Sequence, residues 1–509
     1  MSRKNTINAL ISGAGNLAGR LSGLLREVLY AYLFGTSPLI GYFKYAAALP
    51  NLARRIFGEG ALANAFIPLL AEAKNDDRER CNDLASKILT LTTIFNSLLA
   101  ILGIGILFSL SYLKVLSQES QDLVYLGSIM LPYLPLICLA GLLGSILNLY
   151  GQYSKPALMS SAMNVCLIAS ASFAIFANLS DKQSIYLLAV SLVFSGVLQV
   201  FILLHASGKF IKLRFKTCRL KAPELKSFWI SFLPVVIGAS AQQISTLLDK
   251  TIALWIGPHA VSSLSYSELL IYLPVGIFGV SLGSVCLPSL SSSLAKGNKQ
   301  DVQRDFHKAL SQALFLSIPC SFLFYLCGDS ILKAIFLRGA FDVESLNFTL
   351  KAFVWFLPGI PFFTALKVVL PLYYANKNTK TPLKISLAMI CLNLILGLSF
   401  IPLLSHGSLA MASSITAFLN FSLLLIQAKK LKYLVSLNEI TKYSIPSLLS
   451  AFLTFILLDS LINNYLSHLT SSINFIDNAI VSLAGTISFA VLYLVLHKLF
   501  KFSLSKRRA

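Results

Sequence analysis

The residues of this sequence with most chemistry to offer are charged groups set inside apolar stretches. Arg20, Arg26 and Glu27 fall in the first such stretch, and Lys44, Arg54, Arg55 and Glu59 in the second. Asp249 and Lys250 fall in the seventh, Glu268 in the eighth and Lys367 in the tenth. A charge held at the middle of a bilayer costs about 2.5–3.5 kcal/mol on insertion scales, so such groups must face a wet cavity or one another. Snorkelling or helix-to-helix pairing accounts for any single one of them, Arg54 and Arg55 above all if they lie near a cytoplasmic helix end. It accounts poorly for the set, because Arg20, Arg26, Arg54 and Arg55 belong to two successive helices. Several guanidiniums converging on one cavity suit a pyrophosphate or another polyanion, since each offers a planar fork of donors. The expected cavity is cationic and its substrate anionic. Arg55 and Glu59 are four apart and can meet on one helix face. Arg26–Glu27 and Asp249–Lys250 are neighbours that point in different directions, so their partners are expected elsewhere.

Other chemistries find little support. No GxxxxGK[ST] loop and no HExxH motif is present, which argues against ATP hydrolysis and zinc catalysis. The eight cysteines are scattered without a CxxC pair, and the six histidines lie far apart near segment ends. Neither pattern reads as a disulfide framework or a metal site. Asn75-Asp76-Asp77 beside Arg78 and Arg80 reads as a solvated turn. Gly15, Gly19 and Gly23 recur every fourth residue, a spacing that lets a second helix approach closely; a packing face is the better reading of it.

The elements that carry these charges are membrane helices. Of 509 residues, 56% are hydrophobic and 12% charged, and the mean hydropathy is +0.74. Soluble domains run near 45–50% and about 25%. Helical-length apolar blocks are expected at 5–35, 38–73, 84–113, 122–151, 156–178, 183–207, 225–256, 259–294, 303–328, 345–375, 382–404, 407–428, 440–464 and 475–500. That makes an all-α integral membrane protein of about fourteen spans, with the second, eighth and tenth bent or broken by proline. The N-terminal stretch lacks an obvious cleavage site and reads as a retained helix. The net charge of +21 sits in alternate loops, for example Lys209 to Lys226 and Lys296 to Lys308, while 35–38, 256–259 and 404–407 are nearly bare. The positive-inside rule then puts both termini in the cytoplasm, and no aromatic-interleaved basic platform argues for nucleic acid. A repeat at an offset of about 220–226 residues relates Leu49-Pro50…Ile56-Phe57-Gly58 to Leu273-Pro274…Ile277-Phe278-Gly279. It also relates Leu149-Tyr150…Lys155-Pro156 to Leu372-Tyr373…Thr381-Pro382. The copies begin six spans apart and share one orientation, which predicts parallel lobes about an axis along the membrane normal.

Arg20-Leu21-Ser22-Gly23-Leu24-Leu25-Arg26-Glu27 and Leu49-Pro50-Asn51-Leu52-Ala53-Arg54-Arg55-Ile56-Phe57-Gly58-Glu59-Gly60-Ala61 resemble the opening two helices of the MurJ/MviN family. Pro132-Tyr133 with Gly144-Ser145-Ile146-Leu147-Asn148, Leu282-Gly283-Ser284 with Leu287-Pro288-Ser289-Leu290-Ser291, Arg338-Gly339-Ala340-Phe341-Asp342 and Thr379-Lys380-Thr381-Pro382 carry the likeness along most of the chain. Members are lipid II flippases of the bacterial cytoplasmic membrane, within the multidrug/oligosaccharidyl-lipid/polysaccharide exporter superfamily. The resemblance implies two six-helix lobes (1–222 and 223–432) about a pseudo-two-fold axis and a cationic central cavity, with two further helices and a basic tail in 433–509.

By position, the family's cavity arginines fall on Arg20, Arg26 and Arg54, and its acidic partner on Glu59. With Arg55 and Lys44 these form the expected substrate-binding set. Glu27, Asp249, Lys250 and Glu268 are the expected cavity or ion-coupling groups, Asp249 being similar to an acid linked to cation binding in some members. The chain departs from better-known members at Gly41, where an acid is usual, at Ala48, where a lysine is usual and Lys44 stands one turn earlier, and at Leu269, in place of an arginine. The implied activity is not enzymatic: lipid II moves from inner to outer leaflet by alternating access. Lipid II and membrane lipids are the expected partners, with cell-wall synthesis proteins as candidates and nucleic acid excluded. No cofactor is expected, a monovalent cation such as sodium being the candidate coupling ion. The alternative is a cation-coupled exporter of small amphiphiles or of other polyprenyl-linked oligosaccharides.

Overall fold

The computed structural model describes residues 3–53, 67, 70–74, 77–113, 121–212, 243–431, 433, 437–465 and 475–506. Among them every regular element is a helix. The first half holds α1 (Arg3–Phe34), α2 (Pro38–Ala53), α3 (Arg78–Tyr112), α4 (Gln121–Met130), α5 (Tyr133–Leu149), α6 (Ser154–Phe176) and α7 (Asp181–Ser207). Residues 243–256 form α8. The second half holds α9 (Pro258–Pro274), α10 (Ser281–Ala295), α11 (Lys299–Phe336), α12 (Val343–Phe356), α13 (Ile360–Ala375), α14 (Lys380–Ser399), the short α15 (Ile401–Leu404), α16 (Gly407–Lys430), α17 (Leu437–Tyr465) and α18 (Phe475–Lys506). Each expected span overlaps one of these helices. Ten helical stretches among the described residues are long and apolar enough to cross a membrane.

Polar residues set the helix starts. Asp77 accepts from the Glu79 amide at 3.1 Å at the head of α3, so this part of the acidic turn is an N-cap. Ser180 and Gln183 form a capping box on α7, and Asn298 and Asp342 cap α11 and α12. The Arg338–Asp342 string is a helix junction: Arg338 donates to the Ile335 carbonyl at 2.9 Å, closing α11, while Asp342 opens α12. The expected proline breaks are present in the eighth and tenth segments. A π-helical turn, Val275–Val280, succeeds Pro274, and a 3₁₀ turn, Leu357–Gly359, carries Pro358 between α12 and α13. A proline removes one amide donor from the ladder, and the backbone answers with a locally different hydrogen-bond period. In the second segment Pro50 lies in the last turn of α2, and 54–66 are outside the described residues.

The chain divides into two compact units, Met1–Ser262 and Ser263–Ala509. In the first, α1 lies along α6 through its glycine stripe. A Cβ at Gly15 would stand 3.0 Å from Ala157 Cβ, one at Gly19 3.5 Å from Ser160 Cβ, and one at Gly23 3.5 Å from Asn164 Nδ2. The stripe is thus a packing face, as its spacing predicts. Gly41 lets α2 approach the Pro258 carbonyl, and the Tyr45 and Thr251 hydroxyls meet at 3.1 Å, so α8 and the start of α9 are tied to this unit. In the second unit the core is built on Phe306, Leu310, Val368, Leu372, Tyr373 and Leu424. Tyr373 donates to the Leu424 carbonyl at 2.6 Å, and Tyr493 to the Phe315 carbonyl at 2.9 Å, so both buried phenols are satisfied. The described cysteines are free, and Cys81, Cys138, Cys286 and Cys327 are buried.

Gly41→Leu should lower the thermal unfolding midpoint of the purified protein in detergent, by about 1–3 kcal/mol of stability, because the side chain would overlap the Pro258 backbone. Gly105→Ala, where a Cβ meets nothing within 4 Å, should leave the midpoint unchanged or slightly raised.

Candidate functional site

Three of the expected charges come together. Arg26 Nη2 donates to Glu27 Oε1 at 2.6 Å, and Lys44 Nζ lies 2.9 Å from Glu27 Oε2. The side chains are 21%, 12% and 7% exposed in the order Arg26, Glu27, Lys44, so the carboxylate is enclosed between one cation of its own helix and one from α2. Here the structure corrects an expectation: Arg26 and Glu27, neighbours that leave the helix about 100° apart, do pair. The long arginine stem swings its fork round to the carboxylate. Glu27 also finds the partner on another helix that the sequence called for, in Lys44.

Asn164 on α6 completes the arrangement. Its Oδ1 accepts from Arg26 Nη1 at 2.9 Å, while its Nδ2 donates to the Gly19 carbonyl and to Ser22 Oγ, both at 3.0 Å. It is 2% exposed. The Arg26 guanidinium carbon stands 5.6 Å from the centre of the Tyr30 ring, which packs edge-on to Phe43. Arg26 Nε is buried and has no hydrogen-bond partner among the described residues. Two cations against one carboxylate leave one positive charge in excess, with a guanidinium donor uncommitted. Such a cluster attracts an oxyanion.

The remaining expected residues are dispersed. Arg20 is exposed on α1 and makes no hydrogen bond or ion pair among the described residues. Asp249 and Lys250 are half-buried on α8, and Lys250 is close enough for its charge to act on Lys44. Glu268 is half-buried on α9 and Lys367 exposed on α13, both in the second unit. Arg54, Arg55 and Glu59 lie outside the described residues, and with them the expected Arg55–Glu59 pair. Sequence reasoning missed Asn164 and Tyr30. The signal was available for the first, because an amide in the middle of an apolar helix needs partners.

Long apolar helices with proline-broken segments and buried charges define a multi-span membrane protein, and solved structures share this fold. The chain matches a structure described as lipid II flippase MurJ, inward closed conformation, at TM-score 0.81 and 23% identity over 97% of this chain and 99% of that one. It matches an inward-facing MATE-family multidrug transporter of the MOP superfamily at TM-score 0.68 and 13% identity, over 84% of this chain and all of the other. The model of the lipid II flippase MurJ family matches residues 30–477, and the chain belongs to that family. A probable lipid II flippase MurJ of Rickettsia prowazekii is 32% identical over 80% of both chains, and one of Buchnera aphidicola subsp. Baizongia pistaciae is 31% identical over 92% of this chain and 93% of its own. The lipid II flippase MurJ of Burkholderia cenocepacia is 29% identical over 84% of each. The chain is accordingly a transporter and not an enzyme, a multi-pass protein of the bacterial cytoplasmic membrane.

Glu27→Gln should destabilise the protein by roughly 3 kcal/mol, since it leaves Arg26 and Lys44 facing each other without the carboxylate. Adding Lys44→Met should recover more than half of the loss in thermal unfolding. Equal and additive effects of the two substitutions would mean that the two groups do not interact.

Proposed function

We propose that this chain moves the undecaprenyl-pyrophosphate-linked peptidoglycan precursor, lipid II, from the inner to the outer leaflet. The cationic excess of the Arg26–Glu27–Lys44 cluster, buried within apolar helices of a chain in the MurJ family, carries this reading. In it the pyrophosphate enters a cationic cavity and meets Arg26, Arg20 and Arg54, with Arg55, Glu59 and Lys44 around them. The prenyl tail stays in lipid along α17 and α18. Two lobes alternate between inward and outward openings, the division falling near 222 and 432. Both termini face the cytoplasm, as the basic loops argue.

The chemistry asked of the protein is binding without bond making. A diphosphate diester offers oxygens that compete with Glu27 for the forks of Arg26, and the uncommitted Nε is a donor ready for one of them. Asn164 fixes the guanidinium from its other side, so the charge stays on the α1–α6 seam as the substrate arrives. Asp249 is the acid proposed to meet a coupling cation such as sodium, with Lys250, Glu27 and Glu268 tuning the field. Export of small amphiphiles fits less well, because that cargo is cationic or neutral and the cluster carries excess positive charge.

Arg26→Ala and Arg54→Ala should each fail to support growth of a strain depleted of its own flippase, with folded protein present in the membrane and lipid II in the outer leaflet reduced at least tenfold. Arg26→Lys keeps the charge but loses the fork and should be intermediate. Full growth and normal outer-leaflet lipid II with Arg26→Ala would overturn the assignment.

A further inference from the structure

A second cationic site lies within the unit formed by residues 263–509. A pocket of about 850 Å³ opens between the first half of α11, a point about three turns into α17 and the second half of α18. The α11 residues that line it run from Gln300 to Phe315 at alternating steps of three and one, which places them on one helix face. That face carries Arg304, His307 and Lys308, then turns apolar at Phe315. Ser447 of α17 and Leu494, His497 and Lys498 of α18 close the opposite wall.

The cations differ in how far they are engaged. Arg304 is held by Asp301 at 2.8 Å and Asp305 at 3.5 Å, and Asp305 also accepts from Ser289. Among the described residues neither Lys308 nor Lys498 pairs with a carboxylate, and both are exposed at the pocket. The site therefore offers two uncommitted ammonium groups beside amides, hydroxyls and two imidazoles. That is a setting for a phosphate monoanion or diester.

Position along the helix selects the source of the phosphate. With 38 residues α11 is about 57 Å long, nearly twice the roughly 30 Å of hydrocarbon, so its polar first turns stand in the headgroup layer while the run after Phe315 enters the apolar core. The apolar part of the lining is Phe315 on α11 and Leu494 on α18, and Leu494 is exposed, as are Val491 and Val495 on the same helix. A phosphate bound at Lys308 and Lys498 has Phe315 and Leu494 in the same pocket, where acyl chains would lie. We infer that the α11–α17–α18 pocket is a binding site for the headgroup of an anionic bilayer phospholipid, such as phosphatidylglycerol, through Lys308 and Lys498. The occupant is a resident lipid, distinct from the transported one, and the basic loop preceding α11 assigns it to the cytoplasmic leaflet.

Purified full-length protein in neutral detergent, titrated with lipid while its thermal unfolding midpoint is followed, tests this. Phosphatidylglycerol should raise the midpoint, and phosphatidylcholine, inorganic phosphate and glycerol phosphate should not. Lys308→Ala with Lys498→Ala should require roughly ten- to thirtyfold more phosphatidylglycerol for the same rise. Lys308→Arg with Lys498→Arg should respond as the parent does, and so should Lys429→Ala with Lys430→Ala at the end of α16. An unchanged response in the alanine pair overturns the site, and so does an equal loss in the α16 control. A rise with inorganic phosphate alone identifies a free-anion site instead. The readout is lipid binding, so its failure leaves the flipping assay of Arg26 untouched, and the reverse holds.

Discussion

An ionised carboxylate cannot be left alone between apolar helices, and Glu27 sets the terms for the elements around it. Moving a carboxylate out of water costs several kcal/mol even after relaxation. Lys44 and Arg26 meet that cost from two directions, one on α2 and one on the same helix as Glu27. Each cation has its own desolvation to offset, so the carboxylate and the cations need one another. Arg26 is further shared with Asn164, which binds the α1 backbone at Gly19. Electrostatics at Glu27 therefore reaches α2 through a lysine and α6 through an amide.

That coupling explains why α1 packs with glycines. Gly15, Gly19 and Gly23 face Ala157, Ser160 and Asn164; a Cβ at Gly15 would already crowd Ala157, and at Gly19 or Gly23 anything larger than a methyl would push into the facing helix. Separation of the seam by even an ångström would break the 3.0 Å bond from Asn164 to the Gly19 carbonyl and release Arg26. The stripe reads in the sequence as a packing face, and it is one. What the spacing does not reveal is that its last glycine sits beside the amide that orients the site arginine. Packing and charge placement are one arrangement here.

The helices were legible because hydrophobic blocks of helical length between basic loops have few other physical meanings. Proline at 274 and 358 marked real changes of helical period for the same reason: a missing amide has a local consequence. Side-chain pairing was less legible. Helical geometry separates Arg26 and Glu27 at their Cβ atoms, but four arginine torsions outweigh the direction of one Cα–Cβ bond. Asn164 went unnoticed because its partners lie 138 to 145 residues away in the chain. The family strings were of mixed kind. Arg338–Asp342 closes one helix and opens the next, which is architecture, whereas Arg20–Glu27 carries the cluster itself. At Gly41 the constraint is steric, since α2 meets the Pro258 backbone at that point.

The ratio of two cations to one carboxylate also bears on how an anion would be let go. A cavity of unpaired guanidiniums would hold a pyrophosphate tightly and release it slowly. With Glu27 present, the donors always have an internal partner to return to, so a departing oxyanion need not leave bare charges in a low-dielectric pocket. Binding then becomes an exchange of acceptors at Arg26 and Lys44, and its free energy is the difference between two ion pairs instead of the whole of one. A transporter needs that small difference, because affinity that is not given back on the far side slows each cycle. In the proposed reaction Glu27 is therefore as much part of release as the arginines are of capture.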